Sequence, residues 1–189
     1  MSKYDIELRH LDGQRLQITS LELYLYSKSF WADPTTHAAR CGIKDQLSFG
    51  RWYVHRYKEG GKFRPPNRRC IDITAGSEKH EVHAGLLIRG INEIDGPALA
   101  LNSFLVGPKP KGERRKWDYN GKDEFFKRLN GSDVESGSIA VVDAPIQRQC
   151  SFYVGRRKGL PKPKTELEER YFNSALRITT HPGNDLTLL

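Results

Sequence analysis

Residues 50–96 run GRWYVHRYKEGGKFRPPNRRCIDITAGSEKHEVHAGLLIRGINEIDG, and this segment sets the expected architecture. Three apolar, β-branched runs, WYVHRY (52–57), CIDIT (70–74) and HAGLLIRGI (83–91), are separated by links rich in Gly, Pro and polar residues. That alternation and punctuation predict three successive strands. The first link is dense in cations: seven Lys or Arg fall between Arg51 and Arg69 against one acid, Glu59, with Tyr57 and Phe63 among them. A β-ribbon presenting cations and an aromatic tip suits a nucleic acid, because the cations neutralise phosphates and the ring stacks on or wedges between bases. An edge hairpin kept soluble by charge has the same composition.

Upstream, YDIELRH and QRLQITSLELYLY flank a turn at Leu11-Asp12-Gly13 and read as two further strands. In LELYLY, Leu21, Leu23 and Leu25 point one way and Glu22, Tyr24 and Tyr26 the other. A carboxylate flanked by tyrosines is either the wall of an active site or a solvated face. Asp33-Pro34-Thr35-Thr36 then forms a turn or helix start, followed by His37 with Arg40 close by. Downstream, PALALNSFLV (97–106) predicts a short helix opening at Pro97. KDEFFKRLNG (122–131) predicts another, with acids early and bases late. SGSIAVVDAP (136–145) and CSFYVG (150–155) read as strands, TELEERYFNSALRI (165–178) as a helix with Thr165 and Glu168 in capping-box spacing, and 178–189 as a tail. The expected architecture is one α+β domain spanning 1–189, with a curved, mostly antiparallel β-sheet, packed helices and a protruding β-hairpin.

Three basic loops, 58–69, 109–116 and 156–164, are separated in sequence. They supply Lys58, Lys62, Arg64, Arg68 and Arg69, then Arg114, Arg115 and Lys116, then Arg156, Arg157 and Lys158. Brought together they form a groove for a phosphate backbone; scattered, they only raise solubility. The totals agree with a polyanionic partner: net charge +8 and pI about 9.4 over 189 residues. No apolar run approaches the roughly 18 residues of a membrane span, so no membrane partner is expected. Three widely spaced cysteines make no disulfide framework, which points to an intracellular chain, cytoplasmic in a prokaryote or nuclear in a eukaryote. No C-x-x-C or H-x-x-x-H pair occurs, and nucleotide-cofactor fingerprints are absent, so neither a metal nor a cofactor is expected.

VHAGLLIRGINEIDG resembles the V-L-I-R-A-x-E-P-x-E-G stretch of the alkyladenine (3-methyladenine) DNA glycosylases. WYVHRY is similar to that family's Y-V-Y-x-x-Y strand, CIDITAG to its C-x-N-[IV] strand, DPTTH (33–37) to its D-P-A-S-H and LELYL (21–25) to its V-E-A-Y-L. Order and approximate spacing agree over residues 20–155, although the Gly-Pro of the family's late helix motif is missing. The resemblance implies a monomeric, metal-free DNA glycosylase of base excision repair. Such an enzyme flips a damaged, N-alkylated or similar purine out of duplex DNA and hydrolyses its glycosidic bond. It implies Glu22 as the water-activating carboxylate, with Arg89 beside the catalytic water. Tyr24, His37, His55 and Asp72 would form the base pocket, with His55 in place of a stacking tyrosine and Asp72 in place of an asparagine. Tyr57 or Lys58 falls at the intercalating position, and Phe63 is a further wedge candidate. A carboxylate at Asp72 favours a cationic, N-alkylated purine over hypoxanthine. The alternatives are a non-catalytic nucleic-acid-binding module of the same fold, or an N-glycosidase acting on RNA or nucleosides.

Overall fold

A computed structural model of the chain describes residues 7–9, 15–59, 61–65, 67–106, 136–138, 151, 153–174, 176–180 and 182–188. In chain order the elements are β1 (Glu7–Arg9), β2 (Arg15–Ser27), β3 (Trp31–Ala32), α1 (His37–Cys41), a 3-10 turn (Asp45–Leu47), β4 (Phe49–Val54), β5 (Ile71–Ala75), β6 (His83–Ile91), β7 (Ile94–Asp95), α2 (Pro97–Val106), β8 (Ser136–Ser138), β9 (Tyr153–Gly155), α3 (Glu166–Phe172), β10 (Arg177–Thr179) and β11 (Leu186–Leu188). Every strand pairing among the described residues is antiparallel. The main path runs β11-β9-β10-β2-β6-β5-β4-β8 and leaves the sheet open, with β1 and β3 added on β2 and β7 on β6. Helices are few, and no helix among the described residues is long and apolar enough to cross a membrane.

The three runs that open the sequence reading are β4, β5 and β6, although β4 ends at Val54, before His55. β6 lies between β2 and β5, and its two alternating sets of side chains do different work. One set includes Ile88, which packs with Val54, Ile71, Ile91 and with Ala100 and Leu101 of α2 to form the core. Each buried Val, Leu or Ile of this group contributes about 1.5–3 kcal/mol relative to exposure. The other set, Gly85, Leu87 and Arg89, faces the polar side of the sheet, where α1 and the 3-10 turn sit.

The signals at the helix starts hold, but the helix expected over 165–178 stops at Phe172, and Arg177–Thr179 form β10 instead. Thr36 caps α1 by accepting from the Ala39 N–H at 3.1 Å, and Gly42 ends it at φ +65°. Thr165 caps α3 by accepting from the Glu168 N–H, while the Glu168 carboxylate reaches back to the Lys164 N–H. The 178–189 tail expected from the sequence is in part a strand: β11 pairs with β9, Thr187 opposite Val154. The expected loop at 109–116 and helix at 122–131, with Arg114, Arg115 and Lys116, lie outside the described residues, as does most of the strand expected at 136–145.

Candidate functional site

Strand register builds the site. Glu22 of β2 stands opposite Leu87 of β6, Leu87 opposite Asp72 of β5, and Asp72 opposite Tyr53 of β4. Directly opposed residues share a face. Two carboxylates are thereby set roughly 10 Å apart, two strand spacings, with a leucine between them. Arg177 of β10 extends the row on the far side of Glu22. The next row on the same face is Tyr24, Gly85 and Thr74.

Glu22 is wholly buried, at 0 % exposure. Its Oε2 accepts from the Tyr24 hydroxyl at 3.0 Å, and its Oε1 from the Lys158 backbone N–H at 2.8 Å. Arg89 Nη1 lies 3.4 Å from the same Oε1, and Arg89 Nε lies 3.5 Å from Asp95. Burial and the Glu22 charge push the Tyr24 hydroxyl well above its ordinary pKa, so it remains a donor. The other side chain of this group is Arg157, whose guanidinium lies 4.6 Å from the Tyr24 ring centre.

Asp72 anchors a second network. Its Oδ1 meets His55 Nε2 at 2.8 Å, and its Oδ2 accepts from the Tyr53 hydroxyl at 2.9 Å and from Gln46 Nε2 at 3.1 Å. Gln46 is oriented in turn by the Ala38 N–H, which donates to its Oε1. Burial opposes a charge on His55, yet the Asp72 charge and hydrogen bond prevail and hold its pKa up at about 10. The same pairing holds Asp72 below its ordinary value against the opposing effect of burial. His37 is the reverse case: burial, reinforced by the charge of His55, pushes it down to about 3. The neutral His37 donates from Nε2 to the Arg56 carbonyl at 2.9 Å and turns Nδ1 toward the Tyr53 hydroxyl at 3.1 Å. The His37 and His55 ring centres are 4.1 Å apart, and Tyr53 stacks on both at 5.7–5.8 Å.

A cavity of about 160 Å³ opens among these groups. Tyr24, His37, His55 and Asp72 border it, and Leu87 lies between the two carboxylates on its sheet side. Gly159, Leu160 and Pro161 close another side, and Arg40, Arg64 and Arg68 supply guanidiniums. The volume is close to the roughly 150 Å³ of a cavity that admits benzene. Glu22 does not border the cavity itself; it touches Tyr24, which does.

The remaining sequence candidates divide. Tyr57 is 54 % exposed, with the Arg64 guanidinium 5.3 Å from its ring centre, and Lys58 and Lys62 are exposed on the same hairpin. Phe63 is not a free tip: it packs against the core and carries Arg56 at 4.0 Å over its ring. Arg69 is only 3 % exposed and donates twice to Asn102 Oδ1, so it braces α2 rather than a phosphate. Arg157 is 5 % exposed and paired with Asp33 at 2.5 Å, and it too leaves the list of phosphate contacts. Arg156 and the Lys158 side chain are exposed.

Sequence reasoning missed Tyr53, Gln46, Arg177 and Gly85. Tyr53 was open to discovery, since it lies two residues from His55. Gln46 carries no local signal. Gly85 is required because a Cβ there would sit 2.4 Å from Gln46 Nε2 and 2.8 Å from Asp72 Oδ2. No family model matches the chain, and neither a curated protein nor a solved structure was found to be similar to it.

Proposed function

We propose that the protein is a DNA glycosylase that holds a flipped purine in this cavity and hydrolyses its glycosidic bond. One observation carries the reading. A fully buried carboxylate, Glu22, is hydrogen-bonded to a tyrosine that borders a ring-lined cavity the size of one heterocycle, with Arg89 at 3.4 Å from the carboxylate. Breaking an N-glycosidic bond develops positive charge on the sugar. A carboxylate next to the base pocket stabilises that charge and takes a proton from the attacking water, help on the order of 10²–10⁴-fold. In this reading Arg89, 3.4 Å from the Glu22 carboxylate, would orient that water. Tyr24, His37 and His55 border the cavity, and an extruded base stacked on one of these rings would gain about 1–3 kcal/mol. Flipping costs a few kcal/mol and needs a wedge. Tyr57 meets that need better than Phe63, because it is exposed and touches Arg64 at the cavity. Lys58, Lys62, Arg156 and Lys158 are the exposed cations for the phosphates.

The test is release of free base from duplexes bearing alkylated, deaminated and etheno purines, wild type against Glu22→Gln. The expected result is release by the wild type, at least a hundredfold loss in Glu22→Gln, and unchanged duplex binding. No release from any member of the panel refutes the enzyme. The enclosure of Glu22, with both oxygens occupied, favours the second reading: a nucleic-acid-binding module in which Glu22 only braces Tyr24. That module binds duplex with a steep salt dependence and releases nothing.

A further inference from the structure

We infer that the cavity takes an uncharged, carbonyl-bearing base and turns away cationic N-alkylated ones, because its walls already carry more positive than negative charge. The inference rests on the reading of the cavity as a base pocket and names the class of base. In the sequence alone, Asp72 argues for a cationic guest. The structure removes that argument. One Asp72 oxygen meets His55 at 2.8 Å and the other accepts from Tyr53 and Gln46, so the carboxylate is engaged on both sides before any ligand enters.

The groups around it are positive. His55, held as an imidazolium by Asp72, forms part of the wall. Arg40, Arg64 and Arg68 border the same space, and among the described residues none of the three pairs with a carboxylate; Arg64 donates to Cys41 Sγ and to the Arg56 carbonyl. Of the other titratable groups of the wall, His37 is neutral and Tyr24 keeps its hydroxyl proton, so neither adds charge. Four cations therefore stand against one carboxylate. Tyr24 adds to the effect. An aromatic face attracts a cation through its quadrupole, but the Tyr24 ring already has the Arg157 guanidinium at 4.6 Å, and Arg157 is fixed there by Asp33. A second cation on that ring gains little and meets like charge. A charged guanidinium offers N–H donors and no acceptor, and the complement of those on Arg40, Arg64 and Arg68 is a ring carbonyl oxygen, as on an oxopurine; the His55 ring nitrogens are already engaged by Asp72 and Cys70.

The experiment is calorimetric titration of the full chain with two free bases of similar size, hypoxanthine and the permanently cationic 7,9-dimethyladeninium. Hypoxanthine is expected to bind at least tenfold more tightly. His55→Gln and, separately, the exposed-site variant Arg68→Gln are each expected to narrow that gap at least threefold; Arg68→Gln keeps the test valid if loss of the His55 pair unfolds the protein. Equal or tighter binding of the cation, binding of neither base, or a gap unmoved in both variants overturns the inference. The duplex assay separates the two failures. Retained discrimination between free bases with no release from any duplex defeats the glycosylase and leaves the inference standing. Faster release of an alkylated purine than of hypoxanthine from duplex, each taken relative to its spontaneous rate of depurination, defeats the inference and leaves the glycosylase.

Discussion

Asp72→Asn alters the carboxylate on which three side chains converge: His55 Nε2 at 2.8 Å on one oxygen, and the Tyr53 hydroxyl at 2.9 Å and Gln46 Nε2 at 3.1 Å on the other. The amide can keep its oxygen where Tyr53 and Gln46 donate, which turns its NH₂ toward His55. His55 must then lose a proton in order to accept. The main loss is thus the ion pair, with no steric change. Removing one partner of a buried pair costs about 3–5 kcal/mol, and the two retained hydrogen bonds put this change near the lower end. In a domain of this size that lowers Tm by roughly 6–12 °C. The pH dependence has a definite sign. His55 is raised from 6.5 to about 10, so its contribution is full below pH 6.5 and fades as pH climbs through about 10. Asp72 is lowered from 3.8, so its contribution is full above that value and is lost as pH falls through the depressed one. The gap between wild type and variant is therefore widest from just above pH 3.8 to pH 6.5. Urea unfolding at pH 6 and again well above pH 10, with an NMR titration of the His55 ring, measures both parts. A loss below about 1 kcal/mol at pH 6, the range of an exposed pair, refutes the reasoning. So does a variant whose His55 ring still titrates near the wild-type value.

Phe63→Ala and Tyr57→Ala should separate packing from insertion. Phe63→Ala lowers the unfolding free energy by about 2 kcal/mol, because its ring packs on the core. Tyr57→Ala stays within about 0.5 kcal/mol of wild type in urea, yet slows base release from duplex on the order of tenfold and leaves release from single strands unchanged. Gly85→Ala forces a methyl onto Gln46 and Asp72, costs about 1–3 kcal/mol by urea unfolding and abolishes free-base binding by calorimetry. Arg157→Met strands the buried Asp33 and costs about 3–5 kcal/mol in the same unfolding assay. Arg156→Gln, at an exposed site, leaves stability unchanged and reduces the salt slope of duplex binding by about 1.

Strand periodicity made half of the site legible. The alternation in LELYLY assigns Glu22 and Tyr24 to one face, and that face is the one that meets Leu87 and Asp72. Helix-start signals worked for the same reason: Thr36, Pro97 and Thr165 act on their own neighbours. What charge counting cannot supply is the partner of a cation. Arg157 finds Asp33 from 124 residues away, and Arg69 finds Asn102 from 33, so two residues of basic loops are internal braces. Phe63 failed similarly, since a hairpin that folds back buries what a sequence places at its tip. His55 and Asp72 were both visible, but their mutual pairing was not, and that pairing reverses the charge the cavity offers. The last strand was missed because three residues, Leu186–Leu188, are too short to display a period.

That short strand has a consequence for the molecule. β11 lies along β9, and Gly155 admits it so tightly that a Cβ there would meet Leu186 Cδ2 at 2.4 Å. Directly after Gly155 the chain supplies the amide that holds Glu22 and the segment Gly159–Pro161 that shuts one side of the cavity. β11 therefore works as a buckle on the wall of a remote chamber, and deleting Leu186–Leu188 is expected to loosen that wall with every residue lining the chamber intact.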